Sequence, residues 1–155
     1  AGIYLGLQPG VTKEKLELAL AEKDDISKLL RFYPVKTGQF FYVPAGTIHA
    51  IGKDVFLAEI QQSSGITYRV WDWNRVGLDG KPRELHVKKA LDVINFETKF
   101  NEKENFKYIE DIFNNGNDSV IVTHKEFSVR LVKLCDGEKC TIDKNNERYS
   151  SLLCL

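Results

Sequence analysis

Residues 43–52, VPAGTIHAIG, place a histidine between turn-forming and strand-forming residues. Pro44, Gly46 and Gly52 predict turns, and the isoleucines on either side of His49 are typical of a strand. An imidazole at the mouth of a sheet can hold a metal ion, but a lone histidine on a strand is more often a hydrogen-bonded structural residue. The function of this stretch therefore depends on which residues lie near His49.

The composition is that of a globular protein in a reducing compartment. The chain has 155 residues, of which 43% are hydrophobic and 28% charged, enough for one domain or parts of two. Lys plus Arg and Asp plus Glu both number 22, so we expect neither a nucleic acid nor an anionic membrane as partner. No apolar run approaches the ~20 residues of a membrane span. The 3 cysteines include no C-x-x-C pair, which argues against a disulfide framework and favours the cytoplasm.

Both ends of the chain resemble the interior of a longer protein. Methionine is absent, the chain opens on the strand-like IYLGL, and it stops inside the apolar run YSSLLCL. We interpret the sequence as a fragment that lacks residues on both sides. The sequence does not indicate an oligomeric state.

The hydrophobic pattern predicts a mainly β fold with a few helices. Helices are expected at 12–21, with Thr12 as N-cap, at 24–30 after Asp25, and at 86–96. Strands are expected at 3–7, 38–46, 47–51, 54–62, 66–73, 119–124, 127–134 and 149–155. A closed jelly roll takes about eight strands. Because neither half supplies them, we predict two incomplete β domains: residues 1–97, a connector at 98–118, and the start of a second, smaller domain at 119–155.

A polar face is predicted on the strands that follow His49. If Gly52, Lys53 and Asp54 form a three-residue hairpin loop, His49 pairs with Leu57, and Glu59 and Gln61 share its face because side chains alternate with period two. A two-residue loop would turn Glu59 and Gln61 to the other face. The next strand adds Arg69. Polar groups inside a barrel cost several kcal/mol unless they are paired or hydrated, so this face predicts a ligand, a metal or an ion-pair network.

Structural interpretations stand beside the functional ones. Glu59 and Arg69 could form only a cross-strand ion pair. Trp71 and Trp73 are more typical of packing than of a sugar platform. The remaining candidates are interpreted as a helix N-cap (His86), a surface residue (His124) and solvated loop charges (Arg75, Lys81 and Arg83).

The stretches FFYVPAGTIHAIG (40–52) and LAEIQQSSGITYRVWDWNRVGLDGKPRELHVKKALDVI (57–94) resemble the type I mannose-6-phosphate isomerases. These are zinc enzymes of carbohydrate metabolism built on cupin jelly rolls. The resemblance covers residues 1–97. It implies a cupin-type jelly roll, here incomplete at both ends, and an aldose–ketose isomerase that interconverts mannose 6-phosphate and fructose 6-phosphate, a small-molecule sugar phosphate.

The resemblance also implies roles for single residues. The family holds zinc with a glutamine and a histidine on one strand, a glutamate on the next and a later histidine, which His49 matches; the other ligands would precede Ala1. Arg69 matches an active-site arginine and Glu59 an acid/base glutamate. Arg75 falls where the family has a basic residue near the substrate phosphate, and we assign Gln61 to substrate binding with it.

The expected chemistry suits these residue types. Moving a proton between C1 and C2 passes through an enediol, so negative charge develops on oxygen. Zinc can polarise that oxygen, Arg69 can stabilise its charge, and Glu59 can act as the general base. Since a catalytic zinc site uses about three protein ligands, we expect the isolated fragment to be inactive.

Three other functions stay open. The first is a non-catalytic cupin that binds sugar phosphates. The second is an iron-dependent cupin oxygenase, which the metal content of the full-length protein would identify. The third is a structural role for the C-terminal β segment in covering the catalytic sheet or in self-association, since an exposed strand at 151–155 would invite edge pairing.

Overall fold

The computed structural model describes residues 1–73, 75–141 and 153. Contacts within the chain divide it into two units, Ala1–Ile112 and Phe113–Leu155. This division falls inside the predicted connector at 98–118, and the three-part domain organisation stays a prediction.

The first unit is built on a three-stranded antiparallel sheet. Its strands are β1 (Gly2–Leu7), β2 (Leu30–Pro34) and β3 (His49–Ile51), in the order β2-β1-β3. The strand predicted at 3–7 is confirmed, and the one at 47–51 is confirmed over its last three residues. β2 was missed, because Leu30 also fits the apolar face of the preceding helical turn.

Two helices and a short 3-10 helix pack with this sheet, close to the predicted positions. Helix α1 (Lys13–Ala21) begins at Thr12, whose side chain accepts a hydrogen bond from Lys15 N at 3.2 Å. A 3-10 helix (Ile26–Leu29) follows the N-cap Asp25. Helix α2 (Val87–Val93) confirms the helix predicted at 86–96. Among the described residues, no helix has both the length and the apolar character needed to cross a membrane.

Apolar side chains cover both faces of the sheet. The smaller cluster contains Ile3, Leu5 and Phe106. The larger cluster joins the sheet to both helices and contains Leu7, Val11, Leu16, Ile26, Leu30, Ile48 and Leu91. β1 contributes to both clusters and is therefore the centre of the unit.

Asn101 fastens β1 to the segment after α2. Its buried side chain accepts from Leu7 N at 2.9 Å and donates to the backbone oxygens of Asn95 and Glu97, both at 2.9 Å. Gly6 permits this approach: its φ is +77°, and a Cβ there would lie 3.0 Å from Asn101 Oδ1. Three further 3-10 helices lie in this region, at Lys99–Asn101, Lys103–Phe106 and Ile112–Asn114. Residues of the predicted connector thus pack into the first unit.

The second unit contains an antiparallel hairpin. It is formed by β4 (Asp118–Thr123) and β5 (Ser128–Val132), which confirms the strands predicted at 119–124 and 127–134. The strand predicted at 149–155, with the edge pairing expected at 151–155, lies outside the described residues except for Leu153. The mainly β class with a few helices is confirmed.

Three strand predictions are wrong. Residues 55–62 and 66–72 form no regular secondary structure. Residues 38–46 form an isolated bridge between Phe40 and Ile109 and single backbone hydrogen bonds, such as Tyr42 N to Phe106 O at 2.7 Å, but no strand. These segments have strand-forming composition, but a strand also needs a neighbour for its N–H and C=O groups. Within the described residues β3 takes β1 as that neighbour, and residues 54–62 take none.

Candidate functional site

The imidazole of His49 is oriented by its own turn. His49 Nδ1 lies 3.0 Å from Thr47 O. Because a carbonyl oxygen only accepts, Nδ1 is the donor in this contact and Nε2 keeps its lone pair. Metal-binding histidines are commonly oriented in this way, by a hydrogen bond from the other ring nitrogen. The ring of His49 is thus oriented so that Nε2 can bind a metal ion.

The turn before His49 is fixed against the end of α2. Gly46 has φ +84°, and a Cβ at this position would lie 2.8 Å from Val93 O. The backbone oxygen of Gly46 accepts from Asn95 N at 2.9 Å, and Thr47 N donates to Pro44 O at 3.2 Å. The glycine in PAGTIH therefore allows a close contact between turn and helix that a side chain would prevent.

The predicted register of His49 is wrong. His49 pairs with Leu5 of β1 and not with Leu57. Pairing therefore gives Glu59 and Gln61 no common face with His49, and both side chains are exposed. No ion pair between described residues joins Glu59 to Arg69. The chemical roles of Glu59 and Gln61 stay predictions.

The two tryptophans lie on the sheet face opposite His49. Directly paired residues of antiparallel strands point to the same side, so His49 shares a face with Leu5, whereas Tyr4 points to the other. On that other face the Tyr4 ring packs 6.3 Å from Trp73, and the two indoles of Trp71 and Trp73 lie 4.6 Å apart between centroids. Trp71 also contacts the larger core cluster, as its interpretation as a packing residue predicts.

Arg69 is held by residues just before α2. Arg69 N donates to His86 Nδ1 at 3.3 Å, and Arg69 O accepts from His86 N at 2.7 Å. Its Nη1 lies 3.5 Å from Glu84 O. His86 occupies the N-cap position of α2 as predicted, but its side chain makes no capping hydrogen bond. One backbone and one side-chain hydrogen bond with His86 thus fix the backbone of Arg69.

Three arginines act on one buried carboxylate, Asp72, and one of them binds it directly. Arg83 binds it in a bidentate manner, with Nε to Oδ2 at 2.7 Å and Nη2 to Oδ1 at 2.6 Å. Arg83, and more weakly Arg69 and Arg75, hold the pKa of Asp72 below its ordinary value. The Arg75 guanidinium lies 5.4 Å from the centroid of the Trp73 ring, in a cation–π contact. We refer to Arg69, Asp72, Arg75 and Arg83 as the arginine cluster.

The interpretation of Arg83 as a solvated loop charge is wrong, because its guanidinium binds Asp72. Neither Asp72 nor its ion pair was singled out from the sequence. A carboxylate before a Gly- and Pro-rich loop and an arginine directly after it can close that loop, and this was the available signal. For Asn101 the sequence offered no such signal, since a polar residue in a polar segment does not by itself indicate burial.

The described residues do not form a complete zinc site. No group of three or more His, Cys, Asp or Glu side chains among them could hold a metal ion. His49 supplies one nitrogen, whereas catalytic zinc takes about three protein ligands. Two shallow pockets near α1 are lined by other residues, and none of His49, Glu59, Gln61, Arg69 and Arg75 contributes to them.

The chain is similar to bacterial mannose-6-phosphate isomerases. It is 51% identical over 83 residues to mannose-6-phosphate isomerase ManA of Bacillus subtilis, an alignment that covers 54% of this chain and 26% of the relative. It is 48% identical over 83 residues to the mannose-6-phosphate isomerase of Streptococcus mutans, with the same coverage. No protein-family model matches the chain.

A solved structure shares the fold. The crystal structure of the mannose 6-phosphate isomerase from Bacillus subtilis superposes with a TM-score of 0.58 at 29% identity, covering 88% of this chain and 38% of that structure. The resemblance found in the sequence is confirmed by both comparisons. The matched region spans about a quarter of the length of the curated relatives.

Proposed function

We propose that the protein is an aldose–ketose isomerase that interconverts mannose 6-phosphate and fructose 6-phosphate. The observation that carries this proposal is the 51% identity over 83 residues to an enzyme named for this activity. The aligned length is just over half of the chain, and the structural similarity extends over 88% of it. The arginine cluster, in which Arg75 contacts Trp73 on the sheet face opposite His49, supplies the positive charge that a sugar phosphate requires.

The proposed reaction moves one proton along the sugar. A base removes the proton from C2 of the open-chain aldose, and the electron pair forms the C1–C2 double bond of an enediol while the aldehyde oxygen takes a proton. The enediol then loses its O2 proton and receives one at C1, which gives the ketose. We assign the base to Glu59 and stabilisation of the charged oxygen to Arg69.

Arg75 and Gln61 are assigned to substrate binding. A guanidinium binds phosphoryl oxygens through paired hydrogen bonds, and the cation–π contact with Trp73 leaves the N–H groups at its edge available. The amide of Gln61 can donate to and accept from sugar hydroxyls. We also propose a cytoplasmic location, since the 3 cysteines include no C-x-x-C pair.

His49 is proposed as a zinc ligand through Nε2. Zinc, when bound, would supply a Lewis acid for a sugar oxygen. Zinc content measured by mass spectrometry on the full-length protein tests this role. His49→Ala should lower bound zinc at least tenfold, whereas the matched variant His124→Ala should retain it. Equal zinc in the two variants would remove His49 from the site.

The activity is tested by a coupled assay for fructose 6-phosphate on the full-length protein. We expect turnover of mannose 6-phosphate, with kcat/KM reduced at least 100-fold in Arg69→Gln and in Glu59→Gln, which removes only the charge. Arg31→Gln and Glu17→Gln are the matched controls, because neither residue belongs to the candidate site. Absence of turnover in the unaltered, zinc-loaded protein would overturn the proposal.

A non-catalytic sugar-phosphate-binding protein is the second candidate. The exposure of the Glu59 side chain favours it. Calorimetry separates the two functions: this candidate predicts binding of mannose 6-phosphate without any isomerisation.

A further inference from the structure

The loop between Asp72 and Arg83 is closed by an ion pair at its ends and held by backbone hydrogen bonds within it. The bidentate ion pair joins residues 72 and 83. Arg75 N donates to Asp72 O at 2.9 Å, and Gly77 N donates to Lys81 O at 2.8 Å beside the bridge between Val76 and Pro82. The Asp72 side chain is only 10% exposed, so its carboxylate has little water to replace Arg83.

We propose that the Asp72–Arg83 pair positions Arg75 and sets the charge of a site for a phosphoryl group. This inference rests on the proposed function, which supplies the phosphorylated substrate. Asp72 and Arg83 are positioning residues in this account, since their charged atoms are used by each other. Arg75 and Arg69 are the groups left to meet the anion.

Charge balance explains why the pair is needed. A phosphate dianion next to an unpaired carboxylate would be repelled, and Asp72 is close enough to Arg69 and Arg75 for both to lower its pKa. Arg83 satisfies both oxygens of Asp72. The cluster is then left with the two positive charges of Arg69 and Arg75, which match a phosphate dianion.

Geometry gives the second reason. Arg75 lies one turn after Asp72 and its backbone N–H is bonded to Asp72 O, so releasing Asp72 from Arg83 also releases the turn that carries Arg75. The cation–π contact with Trp73 fixes the other side of the guanidinium. A displacement of about 1 Å is enough to lose a bidentate contact.

The test is calorimetric titration of the full-length protein with inorganic phosphate, together with KM and kcat for mannose 6-phosphate. Asp72→Asn frees Arg83 and raises the net charge of the cluster, so an effect of charge alone would tighten phosphate binding. Loss of the position of Arg75 should instead weaken phosphate binding about tenfold, a loss of about 1.4 kcal/mol. Tighter binding in this variant would overturn the positioning role. Arg83→Gln should weaken it more, because an unpaired carboxylate remains. Arg83→Lys keeps the positive charge but cannot make the bidentate contact. Its phosphate Kd should therefore lie between those of Arg83→Gln and the unaltered protein. KM should rise in parallel with the phosphate Kd, while kcat changes less.

The chain offers a matched control in its second unit. Asp118 and Arg130 form the same bidentate pair on the hairpin of β4 and β5, where both side chains are half exposed. Asp118→Asn should leave the phosphate Kd within twofold. Leu16→Ala, which lowers the melting temperature without touching the cluster, separates a general loss of stability from a local effect.

The outcomes distinguish this inference from the proposed function. It is overturned if Asp72→Asn and Arg83→Lys keep the phosphate Kd within twofold, if Leu16→Ala weakens binding as much as they do, or if the unaltered protein binds no phosphate. If Asp72→Asn does not fold, Arg83→Lys decides alone. Phosphate binding that depends on the pair, in a protein without isomerase activity, would support the positioning role and reject the proposed reaction.

Discussion

Strand β3 and the segment 54–62 have comparable strand-forming composition and different structures. β3 has only three residues, but its backbone pairs with β1 and the following Gly52 N donates to Gly2 O at 2.9 Å. Residues 54–62 have the longer apolar pattern, yet they pair with no described segment, and Phe56 is fully exposed. An available partner, more than β propensity, decides which segment becomes a strand.

The candidate site residues also divide into those on hydrogen-bonded backbone and those in the segment 54–62. Thr47 holds the ring of His49, the pairing with His86 holds Arg69, and the turn at Asp72 holds Arg75. Glu59 and Gln61 lie in a segment that pairs with no other described segment, and both side chains are exposed. A functional side chain is fixed only as well as the backbone that carries it.

The largest expected effect compares one apolar side chain from each region. Leu5 of β1 is fully buried, so Leu5→Ala should lower the free energy of unfolding by about 3 kcal/mol through lost contacts and a cavity. Phe56→Ala should change it by less than about 0.5 kcal/mol. Urea unfolding followed by circular dichroism measures both. Similar losses in the two variants would mean that residues 54–62 are packed after all.

A smaller effect is expected at the residue that fastens β1. Asn101→Ala removes the acceptor of Leu7 N and leaves that buried group unsatisfied, at a cost of about 2 kcal/mol. Asn105 is the control, because its side chain bonds Phe100 O at an exposed position, and Asn105→Ala should cost less than about 1 kcal/mol. Equal melting temperatures for the two variants would contradict the role given to Asn101.

The smallest effect is a dependence of stability on pH. Arg83 lowers the pKa of Asp72, so the ion pair contributes stability above the ordinary pKa of about 3.9 and loses it as the pH falls through the lowered value. The difference in melting temperature between the unaltered protein and Asp72→Asn should therefore stay constant above about pH 5 and shrink as the pH falls below it, through the ordinary and then the lowered pKa of Asp72. Glu59→Gln, in the unpaired segment, is the control. A difference for Asp72→Asn that also stays constant below about pH 5 would contradict the ion pair.

Signals within a few residues of each other predicted the helices, whose hydrogen bonds are local. Thr12 and Asp25 were identifiable as caps, and the spacing of Val87, Ala90, Leu91 and Ile94 predicted α2. The site was predicted less well, because the face shared by His49 and Glu59 depended on which strand pairs with which. Pairing is a long-range property: His49 and Leu5 are distant in sequence, and nothing local to the histidine indicates β1 as its partner.

The most direct test of the proposed isomerase is to run the reaction in D2O and observe the product by NMR. Because an exposed carboxylate such as Glu59 exchanges its proton with solvent, an enediol formed by the full-length protein should give fructose 6-phosphate of which at least part carries deuterium at C1. Arg69→Gln should slow product formation at least 100-fold. Fructose 6-phosphate without deuterium, or no conversion of mannose 6-phosphate at all, would contradict the account.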